Sequence, residues 1–381
     1  MFSIFKTFFW LGWISFGGPA AHIGYFRHTF VDKLGWLDDQ EYAQLVALSQ
    51  FLPGPGSSQV GFAIGYQRQG LLGAILAFIG FTLPSVLIML CLALLSHKFN
   101  QSPLFEGVVH GLKLLAVVVV ADATWGMYKS FCKQKLTSGL CLLTAAALLL
   151  IPSISTQIIL LLFAALIGCK YLASNQSNTH QRFTPSIWPL ITFGLLIFAL
   201  PLMTSGLPLI KLFSDFFQAG SLVFGGGHVV LPLLQNIVGE QISQDAFLTG
   251  YAAAQAVPGP MFTFATYIGY QLIPQAPIAG ALVATLGVFL PGFLLLLGVL
   301  KHWQHLAHVP KVSGALNGVN AAVVGLLLSA LYQPVFTSAV LNPSDLVFVL
   351  VGFYLLKQLQ LPIISIVISF ILLGVASNWI V

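Results

Sequence analysis

Apolar residues run on at nine places in this chain for about the length that crosses a lipid bilayer: 70–97, 104–130, 136–152, 154–172, 187–205, 276–302, 311–333, 344–360 and 362–380. A span needs about 20 apolar residues at 1.5 Å rise. Only 7% of the 381 residues are Asp, Glu, Lys or Arg, against roughly 25% in a soluble domain. A water-soluble fold is excluded, and an all-α polytopic membrane protein is predicted. The 15 Lys and Arg outnumber the 10 Asp and Glu, but they are scattered between apolar runs and form no basic tract, which argues against nucleic acid as a partner. The opening Met1-Phe2-Ser3-Ile4-Phe5-Lys6 lacks a basic region and a cleavage site and is read as the first membrane segment.

Four further runs are interrupted. Gly17-Gly18-Pro19 cuts 2–31 and Gly225-Gly226-Gly227 cuts 210–232, so each is expected to kink or break at membrane depth. Pro53-Gly54-Pro55-Gly56 cuts 41–66 and Pro258-Gly259-Pro260 cuts 246–271. The pieces of these two are too short to span, which predicts re-entrant hairpins of two half-helices meeting at the Pro-Gly-Pro turn.

The interruptions recur in order. Phe16-Gly17-Gly18 returns as Phe224-Gly225-Gly226, Gln50-x-x-Pro53-Gly54-Pro55 as Gln255-x-x-Pro258-Gly259-Pro260, and Gly107-x-x-x-Gly111 as Gly314-x-x-x-Gly318, with an offset of 204 to 208 throughout. This predicts two homologous halves, 1–172 and 206–381, joined by 173–205, and about 10–11 crossings. Arg27, Lys33, Arg68, Lys129, Lys133 and Lys135 fall on one predicted face, while Lys301 and Lys311 lie in the loop equivalent to the opposite face of the first half. The positive-inside tendency therefore favours inverted halves. Five crossings per half would require either that 187–205 does not cross or that a run within 136–172 is miscounted.

Paired repeats with discontinuous helices follow the plan of secondary transporters, which bind substrate near the midplane at half-helix ends. The helix after Pro55 presents free N–H groups near Gly56, Ser57 and Ser58, and such an end attracts anions. Pro260 to Thr263 hold the equivalent place. Gln50, Gln59 and Gln255 are the nearest amides, and His22 and His228 follow the Gly-rich breaks. Tight helix packing alone is the competing explanation of the breaks. Lys113 and Asp122 are charges at membrane depth, which marks them as functional candidates. Lys113 either compensates an anionic substrate or is neutralised by Glu106 on the same stripe, and Asp122 is a candidate for proton coupling. The repeat puts Asn320 and Ser329 at their positions. Arg27 belongs to an interfacial cluster read as a gate. His302, His305 and His308 are read as a solvated loop in preference to a metal site. Cys91, Cys132, Cys141 and Cys169 are expected to be buried free thiols. No catalytic triad, P-loop or metal motif appears, so no cofactor and no enzyme activity are expected.

The segments Phe16-Gly17-Gly18-Pro19-Ala20-Ala21-His22, Leu34-Gly35-Trp36-Leu37-Asp38-x-x-Glu41 and Leu52-Pro53-Gly54-Pro55-Gly56, followed by Gly65-Tyr66, with their second-half counterparts, resemble the chromate ion transporter family over essentially the whole chain. The resemblance implies a bacterial inner-membrane protein that exports chromate, driven by the membrane potential or a proton gradient, with sulfate as a chemically similar competitor and the two halves oppositely oriented. It extends to Gly17, Gly18, Pro19, His22, Arg27, Pro53, Gly54, Pro55, Pro258, Gly259 and Pro260. Gly56-Ser57-Ser58 departs from the Asn-Ser-Thr expected in relatives. A sulfate transporter and an anion channel are the alternatives, and a homodimer is one option for the assembly.

Overall fold

The structure is a computed structural model that describes residues 1–16, 18–99, 103–173, 186–204, 206–224, 229–238, 241–300 and 309–380. Regular structure among them is helical: α1 (Phe2–Ile14), α2 (Gly18–Phe26), α3 (Asp39–Phe51), α4 (Gly56–Phe99), α5 (Pro103–Phe131), α6 (Lys135–Leu150), α7 (Ile154–Tyr171), α8 (Ile187–Phe198), α9 (Pro208–Ser221), α10 (Val230–Val238), α11 (Gln244–Ala256), α12 (Phe264–Leu272), α13 (Pro277–Val299), α14 (Pro310–Ala330), α15 (Pro343–Lys357) and α16 (Ile363–Ile380). Among the described residues, four stretches have the length and apolarity to cross a membrane singly: Gly56–Ser96, Glu106–Phe131, Pro277–Val299 and Pro310–Ala339. Gly17, Gly225, Gly226, Gly227, His228, Lys301, His302, His305, His308 and the polar stretch 174–185 lie outside the described residues.

Both Pro-Gly-Pro segments form the expected hairpins. Gly56 packs on Ser49 across the first tip, and Gly250 packs on Tyr267 across the second. An Asp38–Glu41 capping box starts α3 and Ser243 caps α11, satisfying N–H groups that a helix start leaves free. In α4 the helix breaks again at Gln69 and Gly70, whose φ is +61°. Gly65 there lies against Gly73 and Ala77, so arm 71–99 runs back along arm 56–68.

The first run departs from expectation. It does not pass through the membrane with a kink, because Phe8 in α1 stacks on Phe26 at 5.7 Å and on Phe30 at 4.8 Å. A helix continuing through the break would separate Phe8 and Phe26 by about 27 Å at 1.5 Å per residue. The chain instead doubles back between α1 and α2, which form a second re-entrant hairpin. In the other half α10 likewise packs against α9. The passages are then arm 71–99 with α5, α6 and α7 in the first half, and α13 to α16 in the second. α8 runs antiparallel to α13: the Ser186 N–H donates to the Gly298 carbonyl at 2.9 Å, while Phe193 stacks on Phe217, which lies level with Gly287. Run 187–204 therefore leads the chain from the Gly298 end of α13 back along that helix, whereas α1 and α2 turn back on each other.

The halves exchange helices. Gly168 of α7 packs against Gly314 and Gly318 of α14, and Gly374 of α16 packs against Gly107 and Gly111 of α5. Ala164 meets Gly318 and Ala173 meets Gly314, so α7 and α14 are antiparallel. Short turns make α5 and α7 parallel, hence α14 runs opposite to α5, its counterpart. The halves are inverted, related by an approximate two-fold axis, and each completes the other's core. Cys132 and Cys141 are buried as expected, whereas Cys91 is exposed on the protein surface, and all four cysteines are free thiols.

These close glycine contacts carry a stability prediction. A side chain at Gly111 overlaps the Phe370 carbonyl, so Gly111→Val is expected to cost about 1–3 kcal/mol by overpacking. Gly139→Ala, where a methyl meets nothing within 4 Å, is expected to be neutral or slightly stabilising. Thermal unfolding of both variants in detergent, followed by tryptophan fluorescence, checks this.

Candidate functional site

The two hairpin tips meet the ends of α1 and α9 between the halves. The Gly54 N–H, at the first hairpin tip, donates to the Val223 carbonyl at the end of α9, at 2.7 Å. The Gly259 N–H, at the second tip, donates to the Ser15 carbonyl at the end of α1, at 2.9 Å. Ser15 and Val223 are repeat equivalents, so each hairpin tip caps the broken helix of the other half. Gly54 at φ +117° and Gly259 at φ +95° hold backbone conformations that favour glycine. They also sit where a Cβ would meet Gly292 at 2.9 Å or the Ser85 hydroxyl at 3.0 Å.

His22 is buried and fixes the same junction. Its ring contacts the Ser15 carbonyl through Nε2 and the Ser57 hydroxyl through Nδ1, both at 3.1 Å. A carbonyl only accepts, so Nε2 carries the proton, and in the neutral ring Nδ1 accepts from Ser57. His22 therefore ties the first break to the start of arm 56–68. Gln59 Nε2 donates to the Pro53 and Gly292 carbonyls, each at 3.0 Å. Thr263 donates to the Pro260 carbonyl at 2.8 Å. The Ser58 hydroxyl and Gln59 Oε1 are buried with no hydrogen-bond partner among the described residues. Pro55, Pro258 and Pro260 are buried and Pro19, Pro53 and Gly56 partly so. Gln50 is exposed and contributes nothing to the tip, whereas its counterpart Gln255 contacts the Met261 sulfur.

Two cavities flank the seam between α5 and α11. One, about 490 Å³, is lined by Phe16, Gly18, Asp122 and Gln255 with the ends of α15 and α16, and it reaches the Ser15–Gly259 contact. It lies toward the face that carries Arg27, Arg68 and Lys129. The other, about 470 Å³, lies toward the opposite face and is lined by Glu106, His110, Lys113 and Asp245 among others. Between them Leu114 to Val120 of α5 are all buried.

Lys113 is neutralised, but not by Glu106. Its Nζ donates to Asp245 of α11 at 2.7 Å, a carboxylate 132 residues away that intrahelical spacing does not reveal. Asp122 accepts from Lys357 at the end of α15, at 2.6 Å. His110 pairs with the buried Asp345 at 2.8 Å, which also accepts the Leu341 and Asn342 N–H groups at the start of α15. Arg27 holds Asp39 through Nε and Nη2 at 2.9 and 2.7 Å, joining the end of α2 to the start of α3. Asp245, Asp345 and Lys357 were not singled out in the sequence, because each reads locally as an ordinary charge at a helix end. Among the described residues no group of three or more His, Cys, Asp or Glu is placed to hold a metal ion.

The junction yields a paired prediction. Ser57→Ala strips His22 of its donor inside the protein and is expected to cost about 1–3 kcal/mol, whereas Ser58→Ala removes a hydroxyl that has no described partner and is expected to leave stability unchanged. Comparing unfolding midpoints of the two variants tests the assignment.

A family model described as chromate transporter matches residues 2–169 and again 210–375. The chain is 27% identical over 376 residues to a chromate transport protein of Cupriavidus metallidurans, covering 96% of this chain and 90% of the relative. It is 29% identical to a probable chromate transport protein of Synechococcus elongatus over 85% of this chain and 82% of the relative. It is 30% identical to an uncharacterised transporter of Methanocaldococcus jannaschii, with 86% and 82% covered. No solved structure matches the chain.

Proposed function

Because the chain belongs to the chromate transporter family, we propose that it is a carrier that exports chromate from the bacterial cytoplasm across the inner membrane, with the crossing of the two hairpin tips as its oxyanion site. The observation that carries this reading is the start of arm 56–68. A helix begins there at membrane depth, directly after Pro55, and its N-terminal N–H groups have no preceding turn to bond. The Ser58 hydroxyl beside them is buried and unpartnered. Partial positive charge, free donors and partial burial suit a tetrahedral dianion. The pseudo-equivalent start near Thr263 spends its hydroxyl on the Pro260 carbonyl, so the first half is the stronger donor. Gly18, at the start of α2, lines the adjoining cavity. Sulfate, with the same shape and charge, is the expected competitor.

Export needs no coupled ion. Moving a dianion outward down an inside-negative potential of 100 mV releases about 2 × 2.3, or 4.6 kcal/mol, enough for a gradient of roughly 2,000-fold. Asp122 and Arg27, the two residues assigned to coupling or gating, hold ion pairs at the inner cavity and at the basic face.

Chromate counterflow in liposomes reconstituted with the purified protein tests this. Saturable counterflow, inhibited by sulfate, is expected, with loss of activity in a Pro53→Ala, Pro258→Ala double variant. Ser58→Ala is expected to raise KM by about tenfold, the effect of one lost hydrogen bond to a charged ligand. Uptake that does not saturate and shows no counterflow identifies a channel instead.

A further inference from the structure

The fold builds its inner cavity twice, but charges only one copy. The cavity at Val119, Asp122, Ala123 and Leu356 has a smaller counterpart of about 250 Å³ at Leu326, Ser329, Ala330 and Leu148, which are the same positions in the repeat. On α5, Glu106, His110, Lys113 and Asp122 are ionisable. On α14 the equivalent residues are Ser313, Asn317, Asn320 and Ser329, all neutral.

The partners follow the same rule. All three ion pairs of α5 reach into the second half: Lys113 to Asp245, His110 to Asp345 and Asp122 to Lys357. The repeat equivalents of those partners are Gln40, Thr137 and Leu149. A staple that merely held inverted halves together would work equally well on either side of the axis. Its confinement to the one face lined by the two large cavities points to the substrate path.

We propose that the oxyanion passes along α5 only, with Lys357 as its docking cation in the inner cavity and Lys113 as its docking cation in the outer one. This rests on the oxyanion-carrier reading above. Each lysine is held by one carboxylate when no anion is present, and exchanges that carboxylate for the dianion when it arrives. Lys357 and Asp122 are partly solvent-exposed, at 40% and 31%, so water can solvate the released carboxylate. Lys113 and Asp122 lie nine residues apart, about 13 Å along the helix, with the buried stretch Leu114 to Val120 between them. Ser57, Ser58 and the hairpin tips then serve the anion between the two docking positions.

The sign of the KM change separates docking from stapling. In inside-out vesicles, where the cytoplasmic face is accessible, Lys357→Gln is expected to raise the chromate KM by roughly tenfold, the loss of one charged hydrogen bond. Asp122→Asn is expected to lower it severalfold, because the lysine no longer has a competing carboxylate, and Lys357→Arg is expected to stay within about twofold. In right-side-out vesicles loaded for exchange, Lys113→Gln and Asp245→Asn are expected to behave in the same opposed way on the external KM. Ser329→Ala, on the neutral counterpart, is expected to change neither. If Lys357→Gln does not fold, Asp122→Asn alone decides, since it retains the lysine. Carboxylate and lysine variants that shift KM in the same direction overturn this proposal while leaving the carrier reading intact. No counterflow from folded, unsubstituted protein overturns both.

Discussion

The structure depends on the need of every main-chain polar group in a bilayer to find a partner within the protein. Breaking a helix at membrane depth exposes such groups, and this chain does so at paired positions in both halves. Its solution is reciprocal: Gly54 caps the end of α9 at Val223, and Gly259 caps the end of α1 at Ser15. At Ser15 the first half adds one donor of its own, the His22 ring, but both tip-to-break bonds cross between the halves. The close packing of Gly54 on Gly292 and of Gly259 on Ser85 follows from that need, since a tip can reach the other half's carbonyl only where no side chain intervenes.

The same reciprocity extends outward. α7 completes the packing of α14, and α16 completes that of α5, through glycines that let the backbones touch. Phe62 and Phe78 of the first half pack against Phe289 and Phe293 of the second at 4.3 to 5.1 Å, an aromatic seam behind the tips. The short arms α2, α3 and 56–68 join this frame through the buried Phe26, Leu48 and Phe62 and through hydrogen bonds of His22, Ser57, Gln59 and Arg27.

Much of this was legible in the residues. The ordered return of Phe-Gly-Gly, Gln-x-x-Pro-Gly-Pro and Gly-x-x-x-Gly announced the duplication, the hairpins and, through the distribution of basic residues, the inversion. Two things were not. Hydropathy along a line cannot distinguish a segment that passes through a bilayer from one that enters and returns, so 2–31 read as a passage until Phe8 was found against Phe26. Nor can spacing on one helix reveal a partner 132 or 235 positions away, which is why Glu106 looked the natural counter-ion of Lys113 and why Asp245, Asp345 and Lys357 passed as ordinary helix-end charges. The repeat held a usable signal for the last of these, because each lies where its counterpart is neutral.

α8 has a consequence for how such a protein could arise. A half whose first two elements turn back and whose remaining four helices pass through begins and ends on one side of the membrane. Two copies joined directly would therefore face the same way, and neither the reciprocal caps nor the exchanged helices could form. As separate chains, they would have to insert in both orientations and find each other. A single added passage removes that ambiguity at synthesis. A segment in which no residue is buried, α8, is thus what makes an antiparallel gene duplication heritable as one polypeptide.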